Sequence, residues 1–470
     1  MAARVIRPVL ILLSLFIAGC GKDEADTPKP VRTDGYLVEV TDRFYYENTE
    51  DYIDFISAST VKVESETLKK IGFSLVADGG IEELSRKVYS EQGNKGLSAH
   101  WRMERINFTY NSISATGEPI VLSGAIMLPN STLPTVEHEL DGVTLYNAYW
   151  VGTKDIIATD GAMIMIRASY NHLVVCSDFQ GYGITEGKYN HPFLEYFTLA
   201  RQSIDCELAA LELIDRMGVR LKKGYGTYVM GMSKGAPVTM AVQKMLENSE
   251  PEEVRRRVNL EGTYCCSGPY DVKGLFFSIN EGFAKGYLWL VPMLVLSTYC
   301  SHPDLFEGFT VEDFFTKSFF NAKTVIDGKE AGFPEAMNSQ RMLERRVSTL
   351  CNELGFDEIR KILSPRFFSE NGDINTEDRL VSIFLGILES NNPSIGWAPK
   401  SPVLMEASIT DDMVGYEGSY RCYENLKYDE RGIPDRYVGF NTYNGFNHDE
   451  MSIFGMVRMF VMKNPVESLL

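Results

Sequence analysis

The sequence predicts an α/β protein: a mainly parallel sheet flanked by helices, with a helical cap inserted late in the chain. Three observations carry this. Apolar strand-like runs alternate with helical runs between Gly142 and Cys266, the spacing of parallel strands joined by right-handed helical crossovers. The stretch 271–398 then shows only helical runs rich in Phe, Leu and Tyr, and is too long for a plain loop. A buried strand resumes at Ser401-Pro402-Val403-Leu404-Met405-Glu406. At 470 residues the chain exceeds the roughly 250 to 300 residues of a single hydrophobic core, which leaves room for such an insertion.

In chain order, residues 1–19 read as a signal peptide and 20–34 as a polar, Pro-containing tether that buries no apolar surface. Residues 35–104 read as an N-terminal helical segment, with helical stretches at 51–78 and 82–92. The first part of the core spans 105–270. It opens with a hairpin, Ile106 to Tyr110 and Ile120 to Pro129 around the turn Thr116-Gly117-Glu118-Pro119. Strands follow at Gly142 to Asn147, His172 to Ser177, Tyr225 to Met230 and Leu260 to Cys266. Helices are expected at Gly161 to Ala168, Leu194 to Met217 and Pro237 to Glu247. The cap, 271–398, should carry helices at 276–283, 287–299, 311–320, 342–354 and 379–389. The second part of the core, 399–470, adds a helix near Tyr420 to Leu426, a strand Arg436 to Asn441 and a C-terminal helix Asp449 to Met462.

At the N-terminus, Arg4 and Arg7 precede an apolar run from Val9 to Ile17 and the small residues Ala18 and Gly19, then Cys20. Ile17-Ala18-Gly19-Cys20 resembles the bacterial lipobox, which implies lipidation of Cys20 and a membrane anchor. The Lys22-Asp23-Glu24 cluster resembles the surface-export signal of some Bacteroidetes lipoproteins, so both the periplasmic face of the outer membrane and the cell surface stay open. The chain carries a net charge of −18, and loss of Arg4 and Arg7 with the signal makes it more acidic still. This balance, with no Lys/Arg cluster, argues against nucleic acid or an anionic membrane surface as partner. The other seven cysteines form no C-x-x-C pair, so neither zinc nor a redox site is indicated, and they read as small buried hydrophobes.

The chemistry centres on Gly231-Met232-Ser233-Lys234-Gly235, which follows the apolar strand Tyr228-Val229-Met230 and precedes a helix. A tight strand-to-helix turn lifts the Ser233 hydroxyl above the sheet edge, and small residues on both sides permit the crowded backbone. The helix N-terminus faces the developing oxyanion, and the Lys234 N–H is the natural first donor. The Lys234 side chain is expected to be solvated or paired, not catalytic. A serine nucleophile needs a base. Of the six histidines, only His448 lies after the resumed sheet, in a turn before the final helix. For the acid, Asp411 and Asp412 share the loop after the 402–406 strand. Asp411 has the spacing to Val414 of an Asp-x-x-Val-Pro ending, with Gly415 in place of Pro, and Asp412 is the alternative.

Ser233, Asp411 and His448 in that order, with Ser177-Asp178-Phe179-Gln180-Gly181-Tyr182-Gly183 upstream of the elbow, resemble the α/β-hydrolase superfamily. More narrowly the chain is similar to secreted lipase and esterase relatives found as Bacteroidetes lipoproteins. The resemblance covers about Gly124 to His448 and implies an α/β-hydrolase fold and a carboxylic ester hydrolase working through an acyl-enzyme. It needs no metal or organic cofactor, and the substrate is a small-molecule, lipid or glycan ester. Many relatives end an earlier strand in a His-Gly that shapes the oxyanion hole. Here Leu145-Tyr146-Asn147-Ala148-Tyr149-Trp150 stands instead, which leaves the Tyr149 N–H as the second donor. Glu406 stands where relatives carry a small or polar residue, as a structural carboxylate or a substitute acid. Phe276, Phe277, Phe283, Tyr287, Trp289, Phe319 and Phe320 divide between cap core and a pocket above Ser233, and the apolar 288–296 stretch should be buried. Two other readings stay open: a serine peptidase or aminoacyl hydrolase of the same fold, and a non-catalytic surface-binding lipoprotein.

Overall fold

The computed structural model describes residues 35–46, 101–131, 139–150, 170–428, 437–461 and 466. The signal peptide, Cys20, the tether and the helices expected at 51–78, 82–92 and 161–168 lie outside the described residues. The centre is a nine-stranded sheet. Its strands are β1 (Leu37–Tyr46), β2 (Trp101–Ile113), β3 (Pro119–Ser131), β4 (Glu139–Asn147), β5 (His172–Ser177), β6 (Arg220–Met232), β7 (Leu260–Cys266), β10 (Val403–Ser408) and β11 (Val438–Tyr443). Their spatial order is β1-β2-β3-β5-β4-β6-β7-β10-β11. Antiparallel pairing joins β1 to β2, β2 to β3 and β3 to β5, and from β5 to β11 every pair is parallel. Each residue of β5 is buried, as expected for a parallel strand covered on both faces.

The helices α1 (Tyr196–Arg216), α2 (Gly235–Asn248) and α3 (Glu252–Val258) connect the middle strands. The chain runs leftward from β4 to β5, crosses back to β6, and continues rightward to β7. The loops after β4 and β6 therefore diverge, and the crevice between their carboxyl ends is the switch point where open α/β sheets bind ligands. Hydrogen bonding in register carries Leu145, Tyr146 and Asn147 alongside Val229, Met230 and Gly231, so the loop after Asn147 emerges beside Ser233.

Between β7 and β10 run α4 (Val272–Asn280), α5 (Leu290–Ser301), α6 (Gln340–Glu353) and α7 (Arg379–Ser390), and after β10 come α8 (Tyr416–Leu426) and α9 (His448–Val461). The cap's interior is aromatic: the Phe276, Phe314, Phe367 and Phe384 rings meet at centroid distances from 5.3 to 6.3 Å. Phe319 packs into a neighbouring cluster with Phe315, Phe333 and Phe356. Phe277, Phe283, Tyr287, Trp289 and Phe320 are partly buried and pack against the core. Most of α5 is buried, with Pro292 in its first turn, where a missing N–H costs no helical bond.

Three expectations need correction. Residues 37–46, placed in a helical segment, form the edge strand β1, and residues 101–104 already belong to β2. Val38, Val40, Phe44 and Tyr45 favour a pleated strand, but nearly all of β1 is exposed, so no hydrophobic alternation marks it. The helix expected over 311–320 is broken into a short turn Val311–Phe314 and a separate Lys317–Phe320. Thr316 sits between them and caps the second piece, its hydroxyl accepting the Phe319 N–H. The cap also contains a hairpin, β8 (Thr324–Ile326) and β9 (Lys329–Ala331). It turns at Asp327-Gly328, both with positive φ (54° and 74°), the Asp-Gly signature of a two-residue hairpin turn.

Candidate active site

The Gly231 to Gly235 segment is a sharp turn from β6 into α2. Ser233 sits at φ 48°, a left-handed conformation that costs a non-glycine residue energy and that the surroundings enforce. Its N–H donates to the Cys266 carbonyl at 2.9 Å, and its own carbonyl accepts the Ala236 N–H at 3.0 Å. The flanking glycines are obligatory for contact reasons. A Cβ on Gly231 would lie 2.3 Å from the Gly235 carbonyl oxygen, and one on Gly235 would lie 2.0 Å from that of Asn147. The elbow is thus pressed directly against the end of β4.

The structure brings Ser233, His448 and Asp411 together. Ser233 Oγ lies 2.9 Å from His448 Nε2, and His448 Nδ1 lies 2.9 Å from Asp411 Oδ2. An ionised carboxylate only accepts, so Nδ1–H donates to Asp411 and Nε2 is left to accept the Ser233 hydroxyl proton. Burial pushes the Asp411 carboxyl up, but three effects outweigh it and hold the group below the usual carboxylate range. These are the electrostatic attraction of His448, the His448 hydrogen bond, and the Val414 and Met413 N–H bonds to Oδ1 at 3.0 and 3.1 Å. His448 and Asp411 are buried and Ser233 is partly exposed, the arrangement of a protected relay ending in an accessible hydroxyl.

The loops carrying acid and base are stitched together. Ser408 and Thr410 hydroxyls both donate to the Phe446 carbonyl, at 2.6 and 2.9 Å, and the Gly445 N–H donates to Thr410 Oγ1 at 2.9 Å. His448 is the first residue of α9, behind a capping box in which Asn447 accepts the Glu450 N–H and Glu450 accepts the Asn447 N–H. Asp412 bonds a different part of the same histidine: its Oδ1 accepts the His448 backbone N–H at 3.0 Å.

Glu406 is not positioned as a substitute acid. Its buried carboxylate accepts from Tyr264 (2.5 Å), Arg458 (3.0 Å), Asn441 (3.2 Å) and Tyr443 (3.2 Å), so its lone pairs are engaged across β7, β11 and α9. The remaining described histidines have other partners: His172 with Thr144, His191 with Gln180 and Lys234, and His302 with Glu195.

The Lys234 side chain is paired but not solvated: it is 2% exposed, with Nζ 3.3 Å from His191 Nε2 and over the Phe179 and Tyr182 rings at 5.2 and 5.6 Å. His191 Nδ1 donates to the Gln180 carbonyl at 2.7 Å, leaving Nε2 to accept from the ammonium. Burial first, and the Lys234 charge second, hold the imidazole well below its ordinary range and so neutral. The Asp178 to Gly183 loop therefore supplies the aromatic wall around Lys234, and His191, further along the chain, supplies the imidazole. Nothing in the local sequence marks His191 for this contact, 43 residues away.

Lys234 takes helical dihedrals immediately after Ser233, so its N–H belongs to the outward-facing set at the start of α2. Tyr149 is half-buried on the loop that leaves β4 beside the elbow. Next to it the Trp150 ring meets the cap residue Trp289 at 4.7 Å between centroids. On the other side of the crevice the Tyr287 hydroxyl lies 3.5 Å from Asp412 Oδ2. The cap segment 287–289 thus touches both the β4 loop and the acid loop.

No family profile and no curated protein matches the chain at a significant level. Solved structures do. The rice cell wall degrading esterase LipA from Xanthomonas oryzae superposes with a TM-score of 0.61 at 18% identity, covering 80% of this chain and 93% of that one. A Legionella pneumophila protein proposed to be a hydrolase gives 0.61 at 17%, covering 90% and 96%. Candida antarctica lipase A in its closed state gives 0.53 at 14%, covering 78% and 77%. The likeness establishes the α/β-hydrolase fold.

Proposed function

We propose that this protein is a serine hydrolase of carboxylic esters that works through an acyl-enzyme. The observation that carries the reading is the hydrogen-bonded chain from Ser233 through His448 to Asp411, at the sheet's switch point. Ser233 Oγ attacks the ester carbonyl as His448 Nε2 takes its proton. Asp411 holds the imidazole in the required tautomer and stabilises the imidazolium. The Lys234 N–H, the Tyr149 N–H and the N-terminus of α2 stabilise the oxyanion. His448 then protonates the departing alcohol, and water attacks the acyl-enzyme by the same route. That solved relatives of this fold include an esterase and a lipase supports ester over amide chemistry. The substrate class is a small-molecule, lipid or glycan ester.

The leader grammar ending at Cys20 supports a lipid-anchored protein of the outer membrane, on its periplasmic face or the cell surface. In the described residues no helix is long and apolar enough to cross a membrane. A fluorophosphonate probe tests the chemistry. The wild type should be labelled, and Ser233→Ala should fold normally and take no label. Undiminished labelling of that variant sinks the assignment.

A further inference from the structure

Asp411 and Asp412 are adjacent carboxylates that grip the same residue at two points. Asp411 bonds the His448 ring, whereas Asp412 Oδ1 accepts the His448 backbone N–H. As the first residue of α9, His448 has an N–H that the helix itself leaves without a partner. The capping box uses the N–H groups of Asn447 and Glu450, so the acceptor for His448 comes from another loop. A carboxylate there is favoured by the helix dipole and makes a charge-assisted bond. The other Asp412 oxygen faces the Tyr287 hydroxyl at 3.5 Å. Tyr287 ends a short turn whose approach needs positive φ at Gly282 and Ala284 (99° and 54°).

We propose that Asp412 is a positioning residue for the reaction and rests on the reading of Ser233 and His448 given above. It fixes the main chain of the base while Asp411 fixes its ring, and through Tyr287 it ties that alignment to the cap segment that crosses the crevice. With that anchor gone, the His448 main chain is left to the capping box and the loop contacts at Phe446 and Gly445, and Nε2 can pivot away from Ser233 Oγ.

The test compares wild type, Asp412→Ala, Asp412→Asn and Tyr287→Phe in the full chain, measuring kcat and KM on a nitrophenyl ester and fluorophosphonate labelling of Ser233. Asp412→Ala should lose about ten- to hundred-fold in kcat, the scale of a small misplacement of a reacting group, with KM little changed. Asp412→Asn keeps an amide oxygen that accepts the same N–H and should restore most of kcat. Tyr287→Phe should lose about two- to five-fold in kcat, as for one hydrogen bond. A wild-type kcat in Asp412→Ala, a loss confined to KM, or an Asn variant no better than Ala overturns the positioning role. An unchanged Tyr287→Phe overturns the tie to the cap. If the wild type itself neither takes label nor cleaves ester, the reading of the site fails, and this inference with it.

Discussion

Gly235→Ala puts the contact between the elbow and β4 under direct load. A Cβ there would meet the Asn147 carbonyl oxygen at 2.0 Å, the Asn147 carbonyl carbon at 2.8 Å and the Ala148 oxygen at 2.9 Å. All three are backbone atoms, so no side-chain rotation relieves the clash. Reaching even the 3.0 Å that Cβ atoms respect requires the elbow and the β4 end to part by about 1 Å. Those two segments carry Lys234 and Tyr149, the proposed oxyanion donors. A displacement of about 1 Å at such a site costs about a hundred-fold in rate, while overpacking costs about 1 to 3 kcal/mol of stability. The assay is kcat/KM on a short nitrophenyl ester beside a thermal melt. Gly386→Ala is the control, because its Cβ meets nothing within 4 Å on an exposed turn of α7. That variant should keep full activity and gain about 0.5 to 1 kcal/mol, the ordinary helical preference for Ala over Gly. A Gly235→Ala enzyme within a few-fold of wild type would refute the reasoning.

Two further outcomes follow from buried carboxyls. Thr227 Oγ1 lies 2.8 Å from Glu207 Oε1 and 2.6 Å from the Val258 carbonyl, which can only accept. The Thr227 hydroxyl has one proton to share between these two acceptors, so it compensates the buried Glu207 carboxylate only in part. Burial raises its pKa to about 8. A carboxyl raised in the folded state costs stability as pH climbs from the unfolded value near 4.5 to about 8, in total about 5 kcal/mol. Glu207→Gln should therefore match wild type near pH 4.5 and gain on it steadily up to pH 8 in denaturant titrations, and parallel pH profiles would contradict this. Glu406→Ala strips four donors of their acceptor and leaves Arg458 half-buried without its carboxylate. It should cost about 3 to 5 kcal/mol in unfolding experiments, as for a broken buried pair. Its folded fraction should still take phosphonate at Ser233, and a wild-type melting temperature would contradict the clamp.

The parallel middle of the sheet was legible because its strands are buried on both faces. His172–Ser177, with Leu173 to Cys176 apolar in succession, and Leu260–Cys266, buried from Gly262 onward, have the bounds read from the sequence. The antiparallel edge was not: β1 is exposed along almost its whole length, and a strand that buries neither face leaves no periodic mark. Asp327-Gly328 was readable as a hairpin turn but lies among helical runs with only three residues in each strand. At the site, the residue types and chain order of Ser233, Asp411 and His448 were visible. The division of labour between Asp411 and Asp412 was not, because it depends on which atom of one histidine each carboxylate reaches. The burial of Lys234 against His191, Phe179 and Tyr182 is a long-range contact between two loops that no local pattern encodes.

Trapping the covalent intermediate tests the central claim most directly. The full chain is mixed with excess nitrophenyl ester, quenched in acid within the first turnover, digested and analysed by mass spectrometry. The account predicts an acyl adduct on the peptide containing Ser233, accompanied by a burst of about one nitrophenolate per enzyme, and neither in Ser233→Ala. Ester hydrolysis with no adduct on Ser233, or with the acyl group on another side chain, would contradict it.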